Sequence, residues 1–144
     1  AIVHPSQLPA QVEAERAESL RGPQVDRAVS AFIDDIHQRG LDRNILFVLT
    51  GEFGRTPRIN KNAGRDHWGA LSTLALAGGG LRVGQTVGES SSKAERPRSN
   101  RITPQALMAT VFHVLGIDQG TQFIDQGGRP VFMIETGKPI PSLV

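Results

Sequence analysis

The segment Ile45–Gly80, ILFVLTGEFGRTPRINKNAGRDHWGALSTLALAGGG, is the part of the sequence around which the other elements are expected to pack. Two apolar runs, Asn44–Thr50 and Leu71–Ala77, lie on either side of a polar loop. Neither run alternates apolar with polar residues, which is typical of strands that are covered on both faces inside a parallel sheet. The sequence therefore predicts two adjacent strands of a mostly parallel sheet, joined by the loop that holds most of the chemically capable side chains.

Two segments outside this region have helical patterns. Gln24–Arg39 carries apolar residues three and four positions apart and is followed by Gly40, which predicts an amphipathic helix with a glycine stop. Thr103–Leu115 begins with a capping threonine and a proline at the first helical position, and Gly116 follows it. Both helices are expected to cover the sheet, which gives a three-layer α/β/α fold.

A further helix is predicted before Gln24–Arg39. Pro9 precedes the segment AQVEAERAESLR, and Gly22 follows it, an arrangement typical of a helix start and a helix end. Because Pro23 disfavours continuation, we expect a break between the two helices. The core predicted from all of these elements consists of Phe32, Ile33, Ile36, Ile45, Phe47, Val48, Leu49, Leu74, Leu76, Leu107, Val111 and Leu115.

The length of 144 residues is that of one domain, and we interpret residues 1–144 as a single domain. Residues 89–102 are polar and serine-rich, which predicts an exposed loop, and Val131–Ile134 is a candidate for a last short strand. The chain begins with Ala1, so we expect it to be processed or to be a piece of a longer protein.

Composition excludes several classes of function. The chain has no Cys, so it has no thiolate metal site and no Cys nucleophile. No apolar run approaches the length of a membrane span. The net charge is only +2 and aromatic residues make up 5% of the chain, so stacking platforms for nucleic acid are scarce and we expect no nucleic-acid partner.

Basic residues cluster in the central loop. Four cations fall within a short stretch, and they are Arg55, Arg58, Lys61 and Arg65. Such a cluster attracts anions, and arginine is suited to bidentate contacts with sulfate or phosphate groups. We therefore interpret these four residues as a candidate anion-binding site.

Acidic and imidazole side chains stand at both ends of the same loop. Glu52 follows the first strand, at the end where ligands bind in open α/β sheets, although it could equally be a surface carboxylate paired with Arg55. Asp66 and His67 precede the second strand and are suited to metal binding or to general acid–base chemistry. The alternative is a capping Asp and a His packed on Trp68.

The glycines at 78–80 have a weak resemblance to a phosphate-binding turn. A dinucleotide site needs a helix that starts at the glycines, whereas the residues after Gly80 are typical of a strand or turn. The better interpretation is a tight turn at the end of a strand. The chain also has no G-x-S-x-G motif, and the sequence around His4 indicates no role for it.

The motifs GEFGRTPRIN, GRDHW and ALAGGG, in this order, resemble domain-of-unknown-function family 1501, exported bacterial proteins that are similar to sulfatases. The resemblance covers about residues 24–139. It implies an alkaline phosphatase-like fold, of which this chain would be the carboxyl-terminal portion. It also implies export to the periplasm or beyond, although the chain itself contains no signal.

The resemblance also implies a metal site. Glu52 and His67 would be ligands, and Asp66 would assist them. The relatives also carry an Asp-x-His metal motif before the helix that matches Gln24–Arg39; here His4 is the candidate for that ligand, and the Asp is missing. In the alkaline phosphatase-like superfamily a buried strand ends in a motif such as T-x-D-H-G, to which Thr50–Gly54 corresponds here. Phe53 departs from that motif, because a phenyl ring replaces a metal ligand. The implied cofactor is a divalent metal, zinc for a site of imidazole and carboxylate, or manganese or calcium if the ligands are mainly oxygen.

The expected function is therefore the metal-binding half of a sulfatase/phosphatase-like hydrolase that acts on a small-molecule or glycan sulfate or phosphate ester. Because no nucleophile is identified, we expect weak or no turnover from residues 1–144 alone. The alternative is a non-catalytic binding or scaffold module that retains the fold.

Overall fold

The structure is a computed structural model, and it describes the backbone of residues 10–144 and the side chains of residues 21–144. Two helices form in this part of the chain, α1 (Ala10–Gln38) and α2 (Pro104–Val114). The strands are short, and they are β1 (Leu46–Thr50), β2 (Gly54–Arg55), β3 (His67–Trp68), β4 (Leu74–Gly78), β5 (Glu89–Ser90), β6 (Pro97–Ser99), β7 (Gln122–Ile124) and β8 (Pro130–Phe132).

The strands form separate two-stranded antiparallel sheets: β1 with β4, β2 with β3, β5 with β6, and β7 with β8. The prediction of a mostly parallel sheet in a three-layer α/β/α fold is therefore wrong. Parallel strands need a long crossover, usually a helix, but residues 51–73 between β1 and β4 contain only β2, β3 and irregular segments. The chain therefore returns beside β1 in the opposite direction.

The two predicted strands are neighbours, as expected. The contacts on both faces of β1 explain why its apolar pattern suggested a parallel sheet. In β1, Leu46 packs towards the core that includes Val114 of α2, whereas the Phe47 ring contacts Phe32 of α1 at a centroid distance of 5.3 Å. Successive side chains of a strand point to opposite faces. A strand contacted on both faces lacks polar alternation whatever the direction of its neighbour, so the pattern could not reveal that direction.

Helix α1 continues through Gly22 and Pro23, so the predicted break between two helices is wrong. Both residues are exposed to solvent, and water can satisfy a carbonyl group that a proline leaves unpaired. The predicted end of the helix is confirmed, because Gly40 has a φ of +66° and its amide donates to the carbonyl of His37. Glycine adopts this left-handed conformation without strain.

Helix α2 has the predicted caps. The Thr103 hydroxyl accepts a hydrogen bond from the Ala106 amide at 3.1 Å, and Pro104 occupies the first turn. At the other end, the amide of Gly116 donates to the carbonyl of His113. These local contacts satisfy backbone groups that the helix itself leaves unpaired.

The best-packed cluster contains residues that the sequence analysis missed. Leu81, Ile140 and Leu143 are buried together, with Leu46, Leu76, Val87, Ile102, Ala106 and Val114 packed against them. Of the predicted core, Ile36 is only 3% exposed, whereas Phe32, Val48, Leu49 and Leu115 are exposed and were wrongly assigned. The Phe32 ring still contacts Phe47 of β1, but Phe32 is 40% exposed.

Hydrogen bonds attach the carboxyl-terminal segment to this cluster. The backbone amide of Arg82 donates to the carbonyl of Leu143, and the guanidinium of Arg82 donates to the carbonyl of Pro141. The predicted strand at 131–134 is observed as β8, which begins one residue earlier and ends two residues earlier than expected. The segment 89–102 contains the β5–β6 hairpin. Neither described helix is long and apolar enough to cross a membrane.

Candidate functional site

The candidate site is the connection between β1 and β4. Glu52 lies in a bend directly after β1 and is exposed. The chain then forms β2, which pairs with β3 so that Arg55 lies opposite His67 and Gly54 lies opposite Trp68. The Gly54 amide donates to the carbonyl of Leu71 at 2.7 Å, and a Cβ atom at Gly54 would clash with that carbonyl. Glycine is therefore required for the small hairpin to lie against the start of β4.

The Phe53 ring contacts one side chain on each strand of the β2–β3 hairpin. Its ring lies 4.2 Å from the His67 ring, centroid to centroid, at an interplanar angle of 38°. The Arg55 guanidinium carbon lies 5.9 Å from the Phe53 centroid, within the range of a cation–π contact. The His67 imidazole therefore packs on Phe53, whereas the alternative given in the sequence analysis placed it on Trp68.

The segment between β2 and β3, residues 56–66, is here called the basic loop. Asn60 organises its tip, since Asn60 Oδ1 accepts hydrogen bonds from the amides of Asn62 at 2.9 Å and Gly64 at 3.0 Å. The backbone amide of Asn60 also donates to the carbonyl of Gly64 at 2.8 Å. The tip is closed by these bonds into a defined turn, typical of an Asn side chain that mimics a backbone turn.

Thr56 and Arg65 close the base of the basic loop. The Arg65 Nη1 atom donates to the carbonyls of Thr56 at 2.7 Å and Pro57 at 2.6 Å. The Thr56 hydroxyl donates to the carbonyl of Arg58 and accepts from the Asp66 amide at 3.0 Å. Arg65 was predicted to bind an anion, but its guanidinium also has a structural function.

Asp66 and His67 have different surroundings, although they are adjacent in sequence. One carboxylate oxygen of Asp66 accepts a hydrogen bond from Asn60 Nδ2 at 2.8 Å, so Asp66 is linked to the tip of the basic loop. His67 lies on β3, beside Phe53 and opposite Arg55. Both side chains remain exposed.

The structure does not gather the predicted metal ligands into one site. Among residues 21–144, no group of three or more His, Cys, Asp or Glu side chains is arranged to hold a metal ion. Glu52, Asp66 and His67 therefore do not form a three-ligand centre by themselves. His4, the fourth predicted ligand, lies outside the described residues.

The predicted anion-binding cations are all exposed: Arg55, Arg58, Lys61 and Arg65. Within the side chains that the structure describes, the ion pairs are Arg39 with Asp35, Arg98 with Glu89, and Arg129 with Asp125. None of these pairs involves the four cations. In particular, Arg55 forms no ion pair with Glu52, which was the structural alternative for that carboxylate.

The glycines at 78–80 form the predicted tight turn at the end of β4. All three have positive φ angles, +74° for Gly78, +63° for Gly79 and +71° for Gly80. A Cβ atom at Gly79 would lie 2.7 Å from Val114 Cγ1, so this turn passes directly against α2. No helix begins at these glycines, which leaves no structural basis for a dinucleotide site.

Two residues that support the site were missed at the level of sequence. Asn60 and Thr56 carry no charge, yet their side chains hydrogen-bond five groups of the basic loop. The spacing of Asn60, Asn62 and Gly64 was a usable signal, because these residue types favour side-chain-capped turns. Trp68 is a further support, since its Nε1 atom donates to the carbonyl of Glu95 at 2.8 Å and ties the β5–β6 hairpin to β3.

Comparison with known proteins gives one assignment. No curated protein and no solved structure matches the chain. Residues 10–144 match the family described as "Protein of unknown function (DUF1501)". The match spans most of the chain and includes the whole candidate site, and the chain therefore belongs to the DUF1501 family.

Proposed function

We propose that this chain is the metal-binding half of a sulfatase/phosphatase-like hydrolase that acts on sulfate or phosphate esters. The observation that carries the proposal is the cross-strand pair of Arg55 and His67. Glu52 lies a few residues before Arg55 in the chain. Directly opposed residues in an antiparallel pair have their side chains on the same face. A guanidinium and an imidazole are therefore available to one bound ester.

Each of these residues would contribute a different chemical group to the binding of the ester. The Arg55 guanidinium is planar, carries several donors and remains charged, so it suits two oxygens of a sulfate or phosphate group. His67 supplies an imidazole, a group suited to general acid–base chemistry, and its ring packs on the Phe53 ring. Glu52, which is exposed in the bend before β2, would add a carboxylate.

A metal ion would polarise the ester oxygen if it bound here. Glu52 and His67 are donor types that zinc accepts, and oxygen-rich surroundings would favour manganese or calcium. The described residues alone do not fit a complete zinc site, which takes at least three protein ligands. A bound metal would need further donors from outside them, so no reaction step is derived through it.

Metal analysis of the purified protein tests the proposal. We expect stoichiometric divalent metal in the wild type and its loss in the Glu52→Gln and His67→Ala variants. Glu135→Gln and His113→Ala are matched controls, because both residues are exposed and distant in sequence from the loop. Wild-type protein that is fully folded and free of metal after exposure to zinc, manganese and calcium would contradict the proposal.

A second candidate is a non-catalytic binding or scaffold module. The identity of Phe53 favours it, because the side chain beside the His67 ring is a phenyl group, which cannot act as a metal ligand. The same metal analysis separates the two candidates. If the scaffold is correct, the Phe53→Ala variant loses stability but neither it nor the wild type binds metal.

A further inference from the structure

The four cations of the site have three different surroundings. Arg55 lies on β2, opposite His67, whereas Arg58 and Lys61 are in the basic loop beyond the strand. Arg65 is engaged with two backbone carbonyls of the same loop. Arg58 and Lys61 are therefore the two exposed cations that neither stabilise the loop nor share a strand position with His67.

The basic loop is internally bonded although it is exposed. Asn60, Thr56 and Arg65 make side-chain hydrogen bonds to the loop backbone at its tip and at its base. A loop that is ordered before binding loses less conformational entropy when a ligand binds. Arg58 and Lys61 are thus presented on a preformed support.

From this arrangement we infer that the site takes a polyanion, a ligand that carries two or more sulfate or phosphate groups. One oxyanion would bind at Arg55 and His67, and a second would bind at Arg58 and Lys61. A single monoester offers only one such group and leaves the outer cations without a partner. The inference rests on the proposed function only for the identity of the first oxyanion as the ester to be cleaved.

Equilibrium binding with three probes tests the inference: inorganic sulfate, a sulfated dextran oligomer and a linear polyphosphate. The Arg58→Ala/Lys61→Ala double variant should bind one or both polymers roughly 5- to 10-fold more weakly, and its affinity for inorganic sulfate should not change. The polymer whose binding falls identifies the source of the anionic groups. Arg55→Ala should weaken binding of all probes that bind.

The control is Arg43→Ala/Lys138→Ala, which removes the same charge from exposed positions outside the loop. Asn60→Ala removes the capping hydrogen bonds and no charge, so it separates loop order from charge. We expect Asn60→Ala to weaken polymer binding roughly 3-fold or more, because the loop must then be ordered on binding. Asn44→Ala, also exposed, should have no effect.

Equal losses in the two double variants would overturn the inference, because net charge alone would then explain binding. Unchanged polymer binding in Arg58→Ala/Lys61→Ala or in Asn60→Ala would also overturn it. None of these measurements depends on metal or turnover. Polymer binding that requires Arg58 and Lys61 in a protein that binds no metal would refute the proposed hydrolase and leave the polyanion site standing.

Discussion

The hydroxyl oxygen of Thr110 in α2 accepts a hydrogen bond from the backbone amide of Ile140 at 2.9 Å. The same hydroxyl donates to the carbonyl of Ala106 at 2.8 Å. Thr110 is 1% exposed and Ile140 is 5% exposed, so water cannot replace either bond readily. One buried hydroxyl therefore joins the carboxyl-terminal segment to the helix that borders the core.

Replacement of Thr110 by Val should destabilise the fold by about 1–3 kcal/mol, because the buried amide of Ile140 would lose the hydroxyl oxygen that accepts its hydrogen bond. Urea unfolding measures this free energy. Thr86→Val is the control, since Thr86 is exposed and should change stability by about 0.5 kcal/mol or less. Equal midpoints for the two variants would show that the Thr110 bond has no net value.

Replacement of Gly79 by Ala should cost more stability than replacement of Gly80. Both have positive φ angles, so both variants introduce backbone strain. Only the Gly79 methyl group would meet the side chains of Val114 at 2.7 Å and Leu46 at 3.1 Å, whereas nothing lies within 4 Å of the corresponding position at Gly80. The difference should be about 1–3 kcal/mol, the usual cost of overpacking.

Thermal and urea unfolding of Gly79→Ala and Gly80→Ala, measured side by side, test this expectation. Since the backbone terms are similar, the difference between the variants isolates the contact with α2. If Gly80→Ala were as destabilised as Gly79→Ala, the close approach of the turn to α2 would not exist in solution.

Replacement of Trp68 by Phe should loosen the β5–β6 hairpin. The variant keeps an aromatic ring but removes the Nε1–H donor to the carbonyl of Glu95, a bond worth about 0.5–1.5 kcal/mol. Amide hydrogen exchange should become faster in residues 89–99 and stay the same in α2. Unchanged protection of the hairpin would mean that Trp68 does not hold it.

Acidification should weaken the β7–β8 turn through Asp125. The backbone amide of Arg129, then its guanidinium, and then the amide of Gly127 donate to this carboxylate and lower its pKa from the ordinary value of 3.8. A carboxyl group with a lowered pKa in the folded state stabilises it above the unfolded pKa. This contribution is lost as the pH falls from about 3.8 through the lower, folded-state pKa.

Amide chemical shifts of residues 122–132, followed as a function of pH, report this transition. In the Asp125→Asn variant the shifts should lack the acid transition, and the turn should be weaker than in the wild type at pH values above that transition, because the charged pair with Arg129 is gone. A wild-type transition centred above pH 3.8 would contradict the expected direction of the shift.

Local features were predictable because each depends on residues close together in the chain. Thr103 and Gly116 mark the ends of α2, Gly40 follows the end of α1, and the glycine run after β4 is a tight turn. A capping hydroxyl or a positive φ angle acts within one turn of the backbone, so the residue type is sufficient to predict it. The neighbourhood of β1 and β4 was also predictable from their apolar composition.

The candidate site was predictable only as a set of residue types. Sequence located Glu52, Arg55, Asp66 and His67 in one loop, but it could not show that Asp66 bonds to Asn60 while His67 packs on Phe53. These partners depend on the folded path of the loop. Asn60 and Thr56 were not predicted as site residues, because they hydrogen-bond the backbone of the loop and supply neither a charge nor a metal ligand.

From the amino-acid sequence it was possible to predict the family, the helix stops at Gly40 and Gly116, the cap of α2 and the pairing of β1 with β4. The folded structure was needed to show that these strands run antiparallel, that Phe32 and Leu115 stay exposed, and that Ile140 and Leu143 complete the core. The two groups of features differ in how far apart in the chain the contacting residues are. Caps and turns arise from contacts within a few residues, whereas strand direction and burial depend on contacts between segments far apart in the chain, such as Thr110 with Ile140.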